Sequence, residues 1–289
     1  MALKDAAWHE RMYNNRALVP DHADHFARWS QSSAQVRGQQ PCVLDVPYGP
    51  GVNETLDIFP AQRPNAPVVV FIHGGYWRSL DKSDHSFVAP ALLAMGACVV
   101  VVNYALCPGT AAQPVTIPDI ARQCAQSLAW VWRHIGQHGG DRTRISVIGH
   151  SAGGHLAAMM LACRWKDLGA DLPSDLTRCA MSISGLFDLA PLQHTPFVQV
   201  DLRITPEQVR LASPALWPAP KARQLYALVG GDESPEFLRH NRLIRQAWGA
   251  RAVPVCEDLP GLNHFSVVSA LTVPGHRLQA LAQRLIDAS

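Results

Sequence analysis

"VIGHSAGGH", residues 147–155, places a serine between two glycines where an apolar, β-branched run gives way to a helical pattern. The pattern is G-x-S-x-G, here Gly149-His150-Ser151-Ala152-Gly153, and it suits a sharp strand-to-helix turn. Glycines are needed there because side chains would collide with neighbouring backbone. Such a turn lifts the serine hydroxyl above a sheet and sets it at a helix N-terminus, where the dipole favours developing negative charge. A bare G-x-S-x-G also arises by chance with its serine as a simple helix cap. The strand before it and the helix after it favour a nucleophile.

Similar runs lie on both sides. "PVVVFIH" (67–73), "CVVVVNY" (98–104), "RISVIGH" (144–150), "CAMSIS" (179–184), "LYALVG" (225–230) and "AVPVCE" (252–257) are short and apolar. Continuous apolar runs of that length suit strands buried on both faces, as in a parallel sheet. Helical patterns alternate with them at 86–96, 117–139, 151–165 and 235–249. Upstream, "CVLDVPY" (42–48) and "ETLDIFP" (54–60) alternate in polarity across "GPGVN", which predicts an antiparallel hairpin. The expected fold is α/β: a mostly parallel eight-stranded sheet with helices on both faces. Residues 1–289 read as a single domain, with a helical N-terminal segment over 1–40. Residues 186–217, rich in Pro, Leu and Phe, read as a small cap or lid insertion.

Composition narrows the function. The 48% hydrophobic content and 17% charge describe a globular chain with a sizeable core. A net charge of +2 leaves no electrostatic footprint for nucleic acid or an anionic membrane. Apolar runs such as "ALLAMGACVVVV" stop short of the ~18 residues that suggest a spanning helix. "MALKDAAWHERMYNN" carries no apolar signal-peptide core. Seven cysteines, none in C-x-x-C spacing, read as reduced thiols, so a cytoplasmic location is expected, with no zinc site. No G-x-G-x-x-G follows a strand, so no dinucleotide cofactor is expected. The partner expected is a small-molecule substrate, and the sequence leaves a homodimer open.

A serine hydroxyl needs a base, and the base needs an orienting acid. In doubly wound hydrolases the chain order is Ser, acid, His. His264 in "PGLNHFSVV" follows the last strand in a Gly/Asn loop and is the candidate base. The acid should follow the preceding strand, where "GGDESPEF" offers Asp232 and Glu233 side by side. "FIHGGYW" (71–77) supplies glycines that let backbone N–H groups reach a substrate oxygen. Gly74, Gly75 and Tyr76, with the Ala152 N–H, are the candidate oxyanion hole. Tyr76, Trp77, Tyr104, Phe187, Phe197 and Trp217 are candidate pocket aromatics, although core packing is the commoner role of each taken singly. Two decoys are set aside: "SLDK" (79–82) lacks a K-T-G partner, and "DHADHF" (21–26) has no further ligand cluster for a metal.

"HGGYW", "DKSDHSF", "NYALCP", "GHSAGGH", "ESPEF" and "NHF", with "YNNR" and "VPYGPGVNETLDIFP" upstream, together resemble the kynurenine formamidase (arylformamidase) branch of the α/β-hydrolase fold. HGG and G-x-S-x-G alone imply only the wider hormone-sensitive-lipase-like esterases. The resemblance implies a metal-free Ser-acid-His triad that hydrolyses N-formyl-L-kynurenine to kynurenine and formate. Ser151 would be the nucleophile and His264 the base. In that branch the acid immediately precedes Ser-Pro-Glu-Phe, which makes Glu233 the expected acid and Asp232 the fallback. Glu236 is then a structural carboxylate in a helix's first turn. Tyr76, Trp77 and Tyr104 are the expected substrate-binding residues. The alternative on the same scaffold is a carboxylesterase or amidase for small aryl or short-chain acyl esters.

Overall fold

The computed structural model describes residues 5–289. One eight-stranded sheet has the order β1-β2-β4-β3-β5-β6-β7-β8. The strands are β1 (Val43–Pro47), β2 (Thr55–Phe59), β3 (Ala66–Ile72), β4 (Cys98–Val102), β5 (Gly140–His150), β6 (Cys179–Ile183), β7 (Gln224–Gly230) and β8 (Val255–Leu259). β1 and β2 form the antiparallel hairpin, and β2 pairs antiparallel with β4. From β4 to β8 every pairing is parallel. All eight predicted strands are present. The last begins at Val255, later than its apolar run, because the preceding helix extends to Ala252 and Pro254 has no N–H for a ladder.

Alternation along the strands divides the core. Val68, Val70 and Ile72 of β3 face one cluster, and Val69 and Phe71 face the other. Successive side chains on a strand point to opposite faces, so two helical layers are required. Helices α1 (Ala6–Tyr13), α2 (Asn15–Leu18) and α3 (His22–Gln39) precede the sheet. α4 (Ala89–Ala94), α5 (Ile117–His134) and α6 (Ala152–Ala162) follow β3, β4 and β5. α7 (Pro196–Leu202) and α8 (Pro206–Leu211) fill the stretch between β6 and β7, and α9 (Pro235–Ala252) links β7 to β8. α10 (Ser266–Ser269) and α11 (Arg277–Asp287) end the chain. Leu128 of α5 and Leu156 of α6 join the first cluster, while Leu92 of α4, Trp29 of α3 and Leu281 of α11 join the second. Among the described residues no helix is long and apolar enough to cross a membrane.

The hairpin is fastened to the loop after β3 by a buried charge. Lys82 Nζ lies 2.8 Å from Asp57 of β2 and 2.6 Å from Asp45 of β1. Lys82 and Asp57 are both buried, and the two carboxylates hold the ammonium protonated against the opposing effect of burial. The lysine of the "SLDK" decoy therefore has a structural role. Removing one partner of a buried pair strands the other charge and typically costs ~3–5 kcal/mol. Lys82→Met is expected to destabilise the protein by about that amount in denaturant unfolding, and Lys82→Met/Asp57→Leu to recover part of the loss. A loss under ~1 kcal/mol for the single variant would show that the pair is not holding the hairpin.

Candidate active site

β5 ends at His150, and Ser151 turns sharply out of the strand with φ 55° and ψ −118°. Its N–H still donates to Ile183 O (2.7 Å), one step beyond the β5–β6 ladder, and its carbonyl already accepts from His155 N (3.0 Å) of α6. Gly153 is obligatory because a Cβ there would sit 1.9 Å from Ile72 O. The turn is thereby wedged against the end of β3.

Three predicted residues come together. Ser151 Oγ lies 3.0 Å from His264 Nε2, and His264 Nδ1 lies 2.6 Å from Glu233 Oε2. All three side chains are buried. With Nδ1–H donating to the carboxylate, Nε2 is the bare nitrogen that accepts the serine proton. Asp232 is exposed and takes no part. Glu236 instead accepts from Tyr13 Oη (2.7 Å) and pairs with Arg239 (2.8 Å), which ties α1 to α9.

The second oxygen of Glu233 is also occupied. Oε1 accepts from Gly230 N (2.8 Å) and from Ser184 Oγ. Ser184 has φ 56° at the end of β6, and its N–H donates to Leu228 O (2.7 Å), repeating at the next strand what Ser151 does at β5. The sequence reading did not include Ser184; its only signal was its place at a strand end beside Gly185. His150 is a further addition. Its Nε2–H donates to the His264 carbonyl (2.8 Å), which pins the base from behind. Burial and the nearby His264 ring push His150 well below the usual histidine pKa, so it stays neutral.

The loop after β3 is bent into left-handed conformation at three successive residues: Gly75 (φ 105°), Tyr76 (φ 51°) and Trp77 (φ 54°). A Cβ on Gly75 would lie 2.1 Å from Ser79 O. Gly75 O accepts from the N–H groups of Arg78 and Ser79 (both 3.1 Å), and Tyr76 Oη donates to Tyr13 O (2.6 Å). Gly75 and Tyr76 line the same narrow cavity as Ser151 and His264. Gly74 packs behind it against the Ser151 turn, and Ala152 begins α6 directly after the serine. The expectation for Trp77 and Tyr104 is corrected: both are fully buried and neither reaches the cavity. Tyr104 stacks on His73 at 4.2 Å and donates to its carbonyl (2.8 Å), while Trp77 meets His155 edge-on. They support the loop from below. Of the other candidate aromatics Phe197 of α7 reaches the cavity, and Phe187 and Trp217 do not.

The cavity has a volume of about 40 Å³, room for a few water-sized groups. A wider groove of about 820 Å³ lies beside Cys179 and Gln224, at the opposite edge of the sheet, and contains none of these residues. The described residues hold no cluster of three or more His, Cys, Asp or Glu side chains suited to a metal. His22 and His25 pack against the Phe265 ring instead.

The chain is similar to known hydrolases over most of its length. The BD-FAE family profile matches residues 56–188. A kynurenine formamidase of Danio rerio is 29% identical across 92% of this chain and 89% of its own. Another from Salmo salar is 28% identical across 98% and 93%. The chain has the α/β-hydrolase fold and is similar to kynurenine formamidases over most of its length. Among solved structures, a Silicibacter protein provisionally named a thioesterase superposes with a TM-score of 0.82 at 29% identity, covering 95% of this chain and 97% of its own. The carboxylesterase EstE1 from a metagenomic library superposes at 0.69 with 19% identity, covering 92% and 95%, which speaks for the fold alone.

Ser184→Ala in this hydrolase removes one of the two donors to Oε1 of the buried Glu233 carboxylate. Hydrogen bonds to charged groups are worth ~1.5–3 kcal/mol, so kcat is expected to fall about tenfold or more with little change in KM. An unchanged kcat would mean that Gly230 N and His264 position Glu233 without Ser184.

Proposed function

We propose that the protein is an arylformamidase, hydrolysing N-formyl-L-kynurenine or a close aryl formamide through a formyl ester on Ser151. The near full-length likeness to kynurenine formamidases carries this reading.

In this scheme Ser151 Oγ attacks the formyl carbon as its proton passes to His264 Nε2. Charge developing on the carbonyl oxygen is met by the N–H groups of Gly75, Tyr76 and Ala152, with Gly74 keeping the loop close to the serine. Losing one such donor typically costs ~3 kcal/mol of transition-state stabilisation. Glu233 holds His264 in the required tautomer and stabilises the imidazolium. That imidazolium then protonates the departing aniline nitrogen as the C–N bond breaks. A water, deprotonated by the same imidazole, attacks the formyl ester and releases formate and free Ser151. Protonation of the leaving group is indispensable for an anilide and dispensable for an activated ester. General acid catalysis of this kind contributes ~10²–10⁴-fold.

The test is kcat/KM on N-formyl-L-kynurenine and on 4-nitrophenyl acetate, with Ser151→Ala alongside. Turnover of the formamide at ~10⁴ M⁻¹s⁻¹ or above, lost in Ser151→Ala, is the expected result. Cleavage of the activated ester alone would make the protein a small-molecule carboxylesterase on the same triad. Full activity in Ser151→Ala would overturn the mechanism.

A further inference from the structure

Two polar side chains of the N-terminal segment line the Ser151 cavity, and the hydrolytic scheme uses neither. Arg16 makes one polar contact, to Ser79 Oγ at 3.3 Å, and its guanidinium lies 5.4 Å from the centre of the Phe26 ring. No carboxylate among the described residues lies within 4 Å of it. The other guanidinium on the cavity wall, Arg78, is neutralised by Asp201. Arg16 is exposed at the mouth of the cavity and is thus a permanent positive charge with no carboxylate partner, free to meet an incoming anion. Asn15, 4% exposed, lies next to it on the same wall, and its Nδ2 has no acceptor among the described residues. An unmade donor in a buried site costs ~1–3 kcal/mol, which folding alone gives no reason to retain.

The segment carrying these groups is fixed to the catalytic machinery. Tyr13 reaches Glu236 of α9, and its carbonyl receives the Tyr76 hydroxyl from the loop after β3. The Met12 carbonyl accepts from Ser234 Oγ (2.5 Å), the residue directly after Glu233. Asn14 caps α2 by accepting from Ala17 N (3.2 Å). Asn15 and Arg16 are therefore held in register with the acid and with the oxyanion loop. An arginine fork beside an amide donor is suited to one ligand chemistry above others, a planar carboxylate bound by parallel N–H···O contacts.

We propose that Asn15 and Arg16 form a carboxylate-binding subsite, by which the enzyme selects substrates whose leaving group carries a free carboxylate. The placement on the leaving-group side rests on the formamidase reading, since a formyl group has no position for a second charge. The subsite itself needs only hydrolysis at Ser151.

The experiment measures kcat/KM for two pairs, each a free carboxylate and its primary carboxamide. One pair is N-formyl-L-kynurenine and its amide; the other is 4-acetoxyphenylacetate and 4-acetoxyphenylacetamide. The parent enzyme is expected to prefer the acid in each pair. Arg16→Gln should cut the acid-to-amide ratio by ~10–100-fold, mostly through KM, the size of a charge-assisted hydrogen bond. Arg16→Lys should give an intermediate ratio, because it keeps the charge and loses the fork. Because each variant is judged by a ratio of its own activities, partial misfolding does not imitate the effect. A parent ratio near one, or a ratio unchanged in Arg16→Gln, overturns the subsite. If neither formamide is cleaved but the acetoxy pair shows the Arg16-dependent ratio, the subsite stands and the formamidase reading falls.

Discussion

Ser151 holds a backbone conformation that L-residues with a side chain rarely adopt, and the site is built around keeping it there. A non-glycine residue in that region carries a strain of order 1–3 kcal/mol, which persists only where the surroundings over-determine it. Three constraints do so here. The Ser151 N–H extends the sheet to Ile183, its carbonyl starts α6 through His155 N, and Gly153 presses on the last carbonyl of β3. Relaxing the turn would break all three. The hydroxyl is consequently presented toward His264 with little freedom to be lost when substrate binds, and such preorganisation is where positioned groups gain their effect.

The same means recurs at the neighbouring strand ends. Ser184 copies the turn at β6 and directs its hydroxyl to Glu233, and Gly231 N reaches Leu259 O (2.6 Å) where β7 ends. Nucleophile, acid support and acid thus leave adjacent parallel strands at their carboxyl ends, the edge at which open α/β sheets bind ligands. The loop after β3 completes that edge. Its three left-handed residues are secured by the Tyr13 carbonyl above and the Tyr104–His73 stack below. The N-terminal helices therefore form part of the active-site wall.

Much of this was legible in the sequence, and the exceptions have physical causes. β-branched runs buried on both faces announced β3 to β7, because a parallel sheet covered by helices leaves no polar face to disguise them, while β1 and β2 showed as alternation across a turn. Ser151 and His264 were legible because their chemistry demands a particular turn and loop. Asp232 and Glu233 could not be separated by the residues alone: adjacent side chains diverge, and only the backbone decides which one faces the histidine. Trp77 and Tyr104 misled because aromatics beside a glycine loop suggest a pocket. Left-handed φ at both Tyr76 and Trp77 sends one ring to the cavity and the other into the core. Ser184 carries only a strand-end signal, and "YNNR" marked Asn15 and Arg16 as part of a resemblance without giving them a role; all three reach the site only through folding.

The central claim is that Ser151 is the nucleophile, activated by His264 and Glu233. The most direct measurement is intact-protein and peptide mass spectrometry after treatment with a fluorophosphonate, comparing the parent with Glu233→Gln. The account predicts one adduct per chain, on the peptide containing Ser151, forming at least ~10²-fold more slowly in Glu233→Gln because the base has lost its orienting charge. An adduct on another residue, or equal labelling rates in the two proteins, would contradict it.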